Sequence, residues 1–204
     1  MRVGWTVFIL FFFFTSLSFS QKDSSHTIKV IFLYGSKPRH KFKATESKYF
    51  GGIHGGHVSI IVDDVDYGFE PITTKGVHIF PRKKKYSQFV ERKLYGQNRY
   101  GKGSKTATFV IPITQQQYDQ INNLHNDYCR LTPFDYAVFG MRCAASAQDI
   151  LAQIGITQKR SRFMTITGTF YPKLLRKRLF NLAEKNHYQI IRTEGRETRK
   201  WERD

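Results

Sequence analysis

Residues 57–71 read HVSIIVDDVDYGFEP. The first six are β-branched and apolar, and Asp63-Asp64 supplies turn residues. Residues 65–69 return in the same character, so the stretch predicts two strands joined by a tight turn. Upstream, residues 27–34 (TIKVIFLY) form a further β-rich run, and residues 106–113 (TATFVIPI) form another. Pro112 places the end or the edge of that last strand. Three or more such runs without long helical spacers between them indicate antiparallel pairing.

Outward from this nucleus the pattern changes period. Thr114 and Gln117 make a Thr-x-x-Gln capping box, in which hydroxyl and amide each satisfy a free backbone group. Tyr118, Ile121, Leu124 and Tyr128 then give one apolar helical face, ended by Leu131-Thr132-Pro133. A second helix is expected over 143–154, with Ala147, Ile150, Leu151 and Ile154 at i, i+3, i+4, i+7 and Gly155 as its stop. A third is expected over 172–184, with Pro172 in its first turn and Leu175, Leu179 and Leu182 inward. Residues 35–56 read as a loop of roughly twenty residues, a length usual for functional segments. Residues 76–80 (GVHIF) read as a short strand, 86–94 as a short helix, 187–192 as a last strand and 193–204 as a charged, frayed tail. The fold class is α+β, a small antiparallel sheet on two or three helices in a single domain over 21–192.

Residues 1–20 stand outside that domain. Arg2, a ten-residue apolar run over 5–14 broken only by Thr6, and Ser18-Phe19-Ser20 make a secretory signal pattern ahead of Gln21. The run is shorter than the roughly 20 residues a bilayer span requires, so no transmembrane span is expected once the signal is removed. No cysteine follows the segment, which excludes lipid modification at that junction. The expectation is an exported protein, periplasmic or secreted.

The 204 residues carry 33 Lys+Arg against 16 Asp+Glu, a net charge of +17. Loss of Arg2 with the signal leaves +16. The excess is spread along the chain, from Lys37, Arg39, Lys41 and Lys43 through Arg82–Lys85 to Lys173, Arg176, Lys177 and Arg178. A field of this sign favours anionic surfaces. Export makes an anionic envelope polymer or a lipid surface the expected partner ahead of nucleic acid. At 40% hydrophobic and 24% charged residues the composition is that of a globular chain, which excludes a disordered or coiled-coil class.

Chemistry is expected at few residues. Cys143 opens the second helix, where the dipole and free N–H groups favour thiolate. Cys129 ends the preceding helix, where the dipole has the opposite effect. A Cys129–Cys143 disulfide, which would leave a non-catalytic binding protein, is the alternative for an exported chain. His57 begins a strand after Gly55 and Gly56, at a place where glycine lets backbones approach closely. Glu70, on the returning strand, is placed to fix the tautomer of His57; Asp66 and His78 compete for that task. His54-x-x-His57 offers half a metal site, and no third His or Cys sits at a ligand spacing. No metal or cofactor is therefore expected.

The motifs Gly55-Gly56-His57-Val58-Ser59-Ile60, Tyr67-Gly68-Phe69-Glu70-Pro71 and Phe139-Gly140-Met141-Arg142-Cys143-Ala144-Ala145 resemble the permuted branch of the papain-like NlpC-type superfamily. That branch contains lecithin:retinol acyltransferase relatives and several exported bacterial families. The resemblance runs over about residues 28–156. It implies a circularly permuted papain-like fold and a thiol hydrolase or acyltransferase working through an acyl-enzyme without a cofactor. Cys143 would then be the nucleophile, His57 the base and Glu70 the orienting group, with Arg142, His54 and Tyr67 lining the substrate site. Related sequences commonly carry Asn before the cysteine; Arg142 stands there in this chain, and a guanidinium favours thiolate or an anionic substrate.

Overall fold

The structure is a computed structural model that describes residues 26–47, 54–72, 77–95 and 99–204. The expected signal segment, and parts of the expected 35–56 loop and 76–80 strand, lie outside these residues. Among these described residues the fold is α+β, with a six-stranded antiparallel sheet and four α-helices. The sheet comprises β1 (His26–Tyr34), β3 (Gly56–Val62), β4 (Val65–Pro71), β5 (Ser87–Lys93), β6 (Thr106–Ile113) and β7 (Gln189–Thr193), ordered β5-β4-β3-β1-β6-β7. The short β2 (Ser36–Pro38) pairs separately with β8 (Arg199–Trp201). The helices are α1 (Gln115–Arg130), α2 (Cys143–Gln153), α3 (Arg162–Gly168) and α4 (Pro172–Asn186).

The two faces of the sheet differ in chemistry. Alternation along β1 and β3 sends Ile28, Val30, Phe32, Val58, Ile60 and Val62 to one face, where they are almost wholly buried with Ala144, Leu151, Leu175 and Leu179 of α2 and α4. Phe109 of β6 joins them and meets Phe180 of α4 edge-on at 5.0 Å. The register of β3 with β4 aligns Asp66, Gly68 and Glu70 with His57 and Ser59 on the opposite face. Period-2 alternation thus builds an apolar layer and a polar layer from one hairpin. Asp63 and Asp64 both take left-handed backbone angles (φ 47° and 61°), as a two-residue hairpin turn matched to the sheet twist requires.

Several expectations are corrected. Residues 86–94 are not a helix: β5 occupies Ser87–Lys93 and pairs with β4 throughout. Its charged residues suit a strand at the sheet edge, where charge discourages further pairing. Residues 77–80 form no strand; His78 makes an isolated bridge with Ala137. The expected 35–56 loop contains β2 and a 3₁₀ turn at His40–Phe42. Four helices replace the two or three expected, because α3 was not anticipated, although Ser161 caps it by accepting from the Met164 N–H.

The 193–204 tail is packed rather than frayed. Its β8 strand lies against β2, and the Arg199 side chain is fully buried on Glu46 (2.8 Å) and Ser36 (2.9 Å). Arg176 of α4, 1% exposed, closes on Glu202 and Asp204 at 2.8 and 2.9 Å, and Tyr34 donates its hydroxyl to Asp204. Charge in this tail serves long-range pairing. Among the described residues no helix is long and apolar enough to cross a membrane.

Candidate active site

The site lies where the sheet splits. β3 pairs with β1 as far as Gly56, and β4 pairs with β5 as far as Pro71, yet the β3–β4 ladder stops at Ile60–Tyr67. Beyond that point β4 leaves β3, so the first residues of β3 are open on one side. The start of α2 meets this gap.

Gly56 is required there. Its φ is +91°, and a Cβ would collide with the Leu33 carbonyl oxygen on β1, so only glycine lets the chain enter the strand at this height. The next residue is His57. Its ring interacts with the Cys143 thiol, whose negative charge the Val58 backbone N–H and the Tyr136 hydroxyl also favour. Cys143 is buried and Cys129 exposed, and both thiols are free. The expected alternative of a Cys129–Cys143 bridge is therefore corrected: the two cysteines sit at opposite kinds of helix end.

Burial alone would raise the Cys143 pKa. The adjacent His57, the Val58 N–H and the Tyr136 hydroxyl outweigh it, and the thiol is held below its ordinary value. Burial alone would likewise lower His57, but the Cys143 charge and Glu70 raise it above its ordinary value. Opposite shifts in touching groups favour a thiolate–imidazolium pair over two neutral groups. Cys129 has no such partner, and burial followed by the Glu91 charge pushes its thiol up.

Glu70 stands behind His57, with Oε1 3.8 Å from Nε2. That is an ion-pair distance and not a hydrogen bond, and Nε2 has no hydrogen-bond partner. The carboxylate is occupied by Arg92, which donates to both its oxygens at 3.0 and 2.6 Å, and by Arg99 at 2.9 Å. Arg99 also closes on the fully buried Asp66. Gly68 floors this network: a Cβ there would meet Glu70, Arg92 and His57 within 4 Å. Of the competitors for Glu70's place, Asp66 is taken up by Arg99. His78 lies elsewhere, bonded at 2.7 Å to Asp135, whose carboxylate also accepts the Arg82 and Tyr86 N–H groups.

The remaining expected site residues divide. Arg142 and His54 line a cleft of about 80 Å³ with Cys143, Tyr136, Phe170 and Tyr171. Tyr67 does not reach it. Tyr67 lies on the helix face of β4 and stacks on His125 of α1 at 3.6 Å; the substrate-binding role expected of it is corrected, because strand alternation sends it away from Glu70. Among the described residues no cluster of three or more His, Cys, Asp or Glu side chains suited to a metal is present.

Tyr136 was missed by the sequence reading. Its hydroxyl acts on Cys143 to lower the thiol, and burial pushes its own pKa well up, so it stays a neutral donor. The available signal was a tyrosine within the aromatic run seven residues before the cysteine; only the return of the chain at Tyr136–Met141 brings it back to the sulfur.

Comparison of the chain with family models, with curated proteins and with solved structures finds no match. The functional reading is carried by the residues themselves.

Proposed function

We propose that this chain is an exported cysteine hydrolase or acyltransferase of circularly permuted papain-like type, acting on an amide or ester bond of an envelope component. The observation that carries the proposal is the convergence of His57, the Val58 N–H and the Tyr136 hydroxyl on a lowered Cys143 thiol at the start of α2. A buried structural cysteine needs none of these partners.

The thiolate adds to the substrate carbonyl carbon, and the carbonyl oxygen takes the negative charge. The Cys143 N–H and the Tyr136 hydroxyl are the donors for that oxyanion. The His57 imidazolium gives its proton to the leaving nitrogen or oxygen as the thioester forms. Water, or an acceptor alcohol or amine, then loses a proton to His57 and attacks the thioester, which releases the acyl product and the thiolate. Glu70 stabilises the imidazolium through charge rather than by a hydrogen bond. The exposed basic run Arg82–Lys85 sits on the segment that bonds to residues 138–139, just ahead of the nucleophile. It suits capture of an anionic envelope polymer or lipid surface.

Burst kinetics with p-nitrophenyl acetate test the reading. Acylation should release one equivalent of nitrophenol per Cys143, followed by slower turnover. Cys143→Ala should abolish the burst and Cys129→Ser should keep it. A burst that follows Cys129, or no burst in the unmodified protein, would overturn the proposal.

A further inference from the structure

Among the described residues, the cleft beside Cys143 contains a cation without an anion. Arg142 leads into α2 as its N-cap residue, and its guanidinium lies over the Phe170 ring, 3.6 Å from the centroid. Nη2 is shut off from solvent and makes no hydrogen bond. Among the described residues no Asp or Glu lines the cleft, and the electrostatic neighbours of Arg142 are Tyr136, Cys143 and Tyr171. Four other arginines that turn inward close on carboxylates, Arg92 and Arg99 on Glu70, Arg176 on Glu202 and Arg199 on Glu46, while Arg178 is held by the Gly168 carbonyl. Of the part-buried arginines without a carboxylate, Arg142 is the one that lines the cleft with Cys143.

Removing part of a guanidinium from water without a partner is unfavourable, and burial accordingly lowers the pKa of Arg142. The Cys143 thiolate is held chiefly by His57, Val58 and Tyr136, so Arg142 is not required for that task. Its fork of donors, backed by an aromatic face, is the arrangement that receives a carboxylate in two parallel hydrogen bonds. The cleft, about 80 Å³, is well below the roughly 300–1,000 Å³ of sites that enclose a whole small molecule. It has room for a short acidic group beside the thiol.

We infer that Arg142 is a specificity residue that receives a carboxylate carried by the substrate close to the bond under attack. The preferred substrate class is then an acidic amide or ester, such as a peptide with a free carboxylate beside the scissile bond, rather than a fatty acyl ester. This inference rests on the cysteine-hydrolase reading above.

Iodoacetate and iodoacetamide test it without a known substrate. In both, the thiolate forms a bond to the CH₂ carbon and iodide leaves; only iodoacetate brings a carboxylate. The iodoacetate-to-iodoacetamide rate ratio, measured at Cys143 by peptide mass, cancels any change in the amount of thiolate. Arg142→Gln should lower this ratio by about tenfold, the low end of electrostatic rate enhancement. Arg142→Lys should keep most of it, and the ratio at Cys129 should be unaffected by either change. A ratio that Arg142→Gln leaves unchanged, while Cys143 still reacts faster than Cys129 with neutral iodoacetamide, would overturn the inference alone. If Cys143 is no faster than Cys129 with iodoacetamide in the unmodified protein, the hydrolase reading fails and the inference fails with it.

Discussion

The end of α1 and the start of α2 each carry a free thiol, thirteen residues of chain lying between Cys129 and Cys143. Cys129 is the more exposed, yet its pKa is raised; Cys143 is buried, yet its pKa is lowered. Solvent access therefore does not decide which thiol ionises. At the α1 end partial desolvation and then the Glu91 charge oppose thiolate. At the α2 end a histidine from one strand, a backbone N–H from the same strand and a tyrosine hydroxyl from the preceding loop all favour it.

Two histidines beside the β3–β4 hairpin, His57 on β3 and His125 on α1, repeat the lesson. His57 is raised by the Cys143 and Glu70 charges, whereas His125, against Tyr67 on the apolar face, has neither ring nitrogen hydrogen-bonded and is lowered to about 3 by burial. A buried titratable group acquires chemistry only when charged partners are built around it.

The sharpest break of the comparison is removal of each thiol. Cys143→Ala should lower turnover about 10⁴-fold or more, while Cys129→Ser should leave it unchanged, as read by single-turnover kinetics on an activated ester. His57→Ala should cost about 10³-fold, with little further loss in the double variant with Cys143→Ala, because the two groups act as a unit. Tyr136→Phe keeps the ring and removes one oxyanion donor. It should lower kcat about 100-fold with KM little changed.

Glu70→Gln should be the mildest, about a tenfold loss, equivalent to roughly 1.4 kcal/mol of barrier. The carboxylate is already shared with Arg92 and Arg99 and makes no hydrogen bond to His57. A loss as large as that of His57→Ala would mean that Glu70 fixes the imidazole directly during turnover.

Much of this contrast was legible in residue order. The alternating runs of β1, β3, β4 and β6, the Thr114–Gln117 capping box and the apolar face of α2 all express local periodicity, and the glycine-led histidine and helix-starting cysteine could be paired from them. What was not legible depends on register and chain return. The arginines on Glu70 and Asp66 follow from β4–β5 pairing and from the connection after β5. Tyr136 reaches the sulfur only because residues 136–141 fold back on themselves. Tyr67 was misassigned because neighbours in a strand point to opposite faces. In α3, β-branched Thr165, Ile166 and Thr167 in a seven-residue helix weaken the helical signal. The tail looked solvated by its charge, yet its partners Glu46 and Arg176 are distant in sequence.

Cys143 and His57 are read as a thiolate–imidazolium pair, and Cys129 as a thiol that stays protonated at neutral pH. The most direct test is the pH dependence of iodoacetamide alkylation at both cysteines, followed in one sample by peptide mass. A lowered Cys143 pKa keeps its thiolate at neutral pH and loses it as pH falls through the folded value. A raised Cys129 pKa delays its thiolate until alkaline pH. Cys143 should already be reactive below pH 7, with Cys129 rising only above about pH 8.5, the ordinary cysteine value. His57→Ala should move the Cys143 curve toward that of Cys129. Superimposable curves for the two cysteines in the unmodified protein would rule out the ion pair.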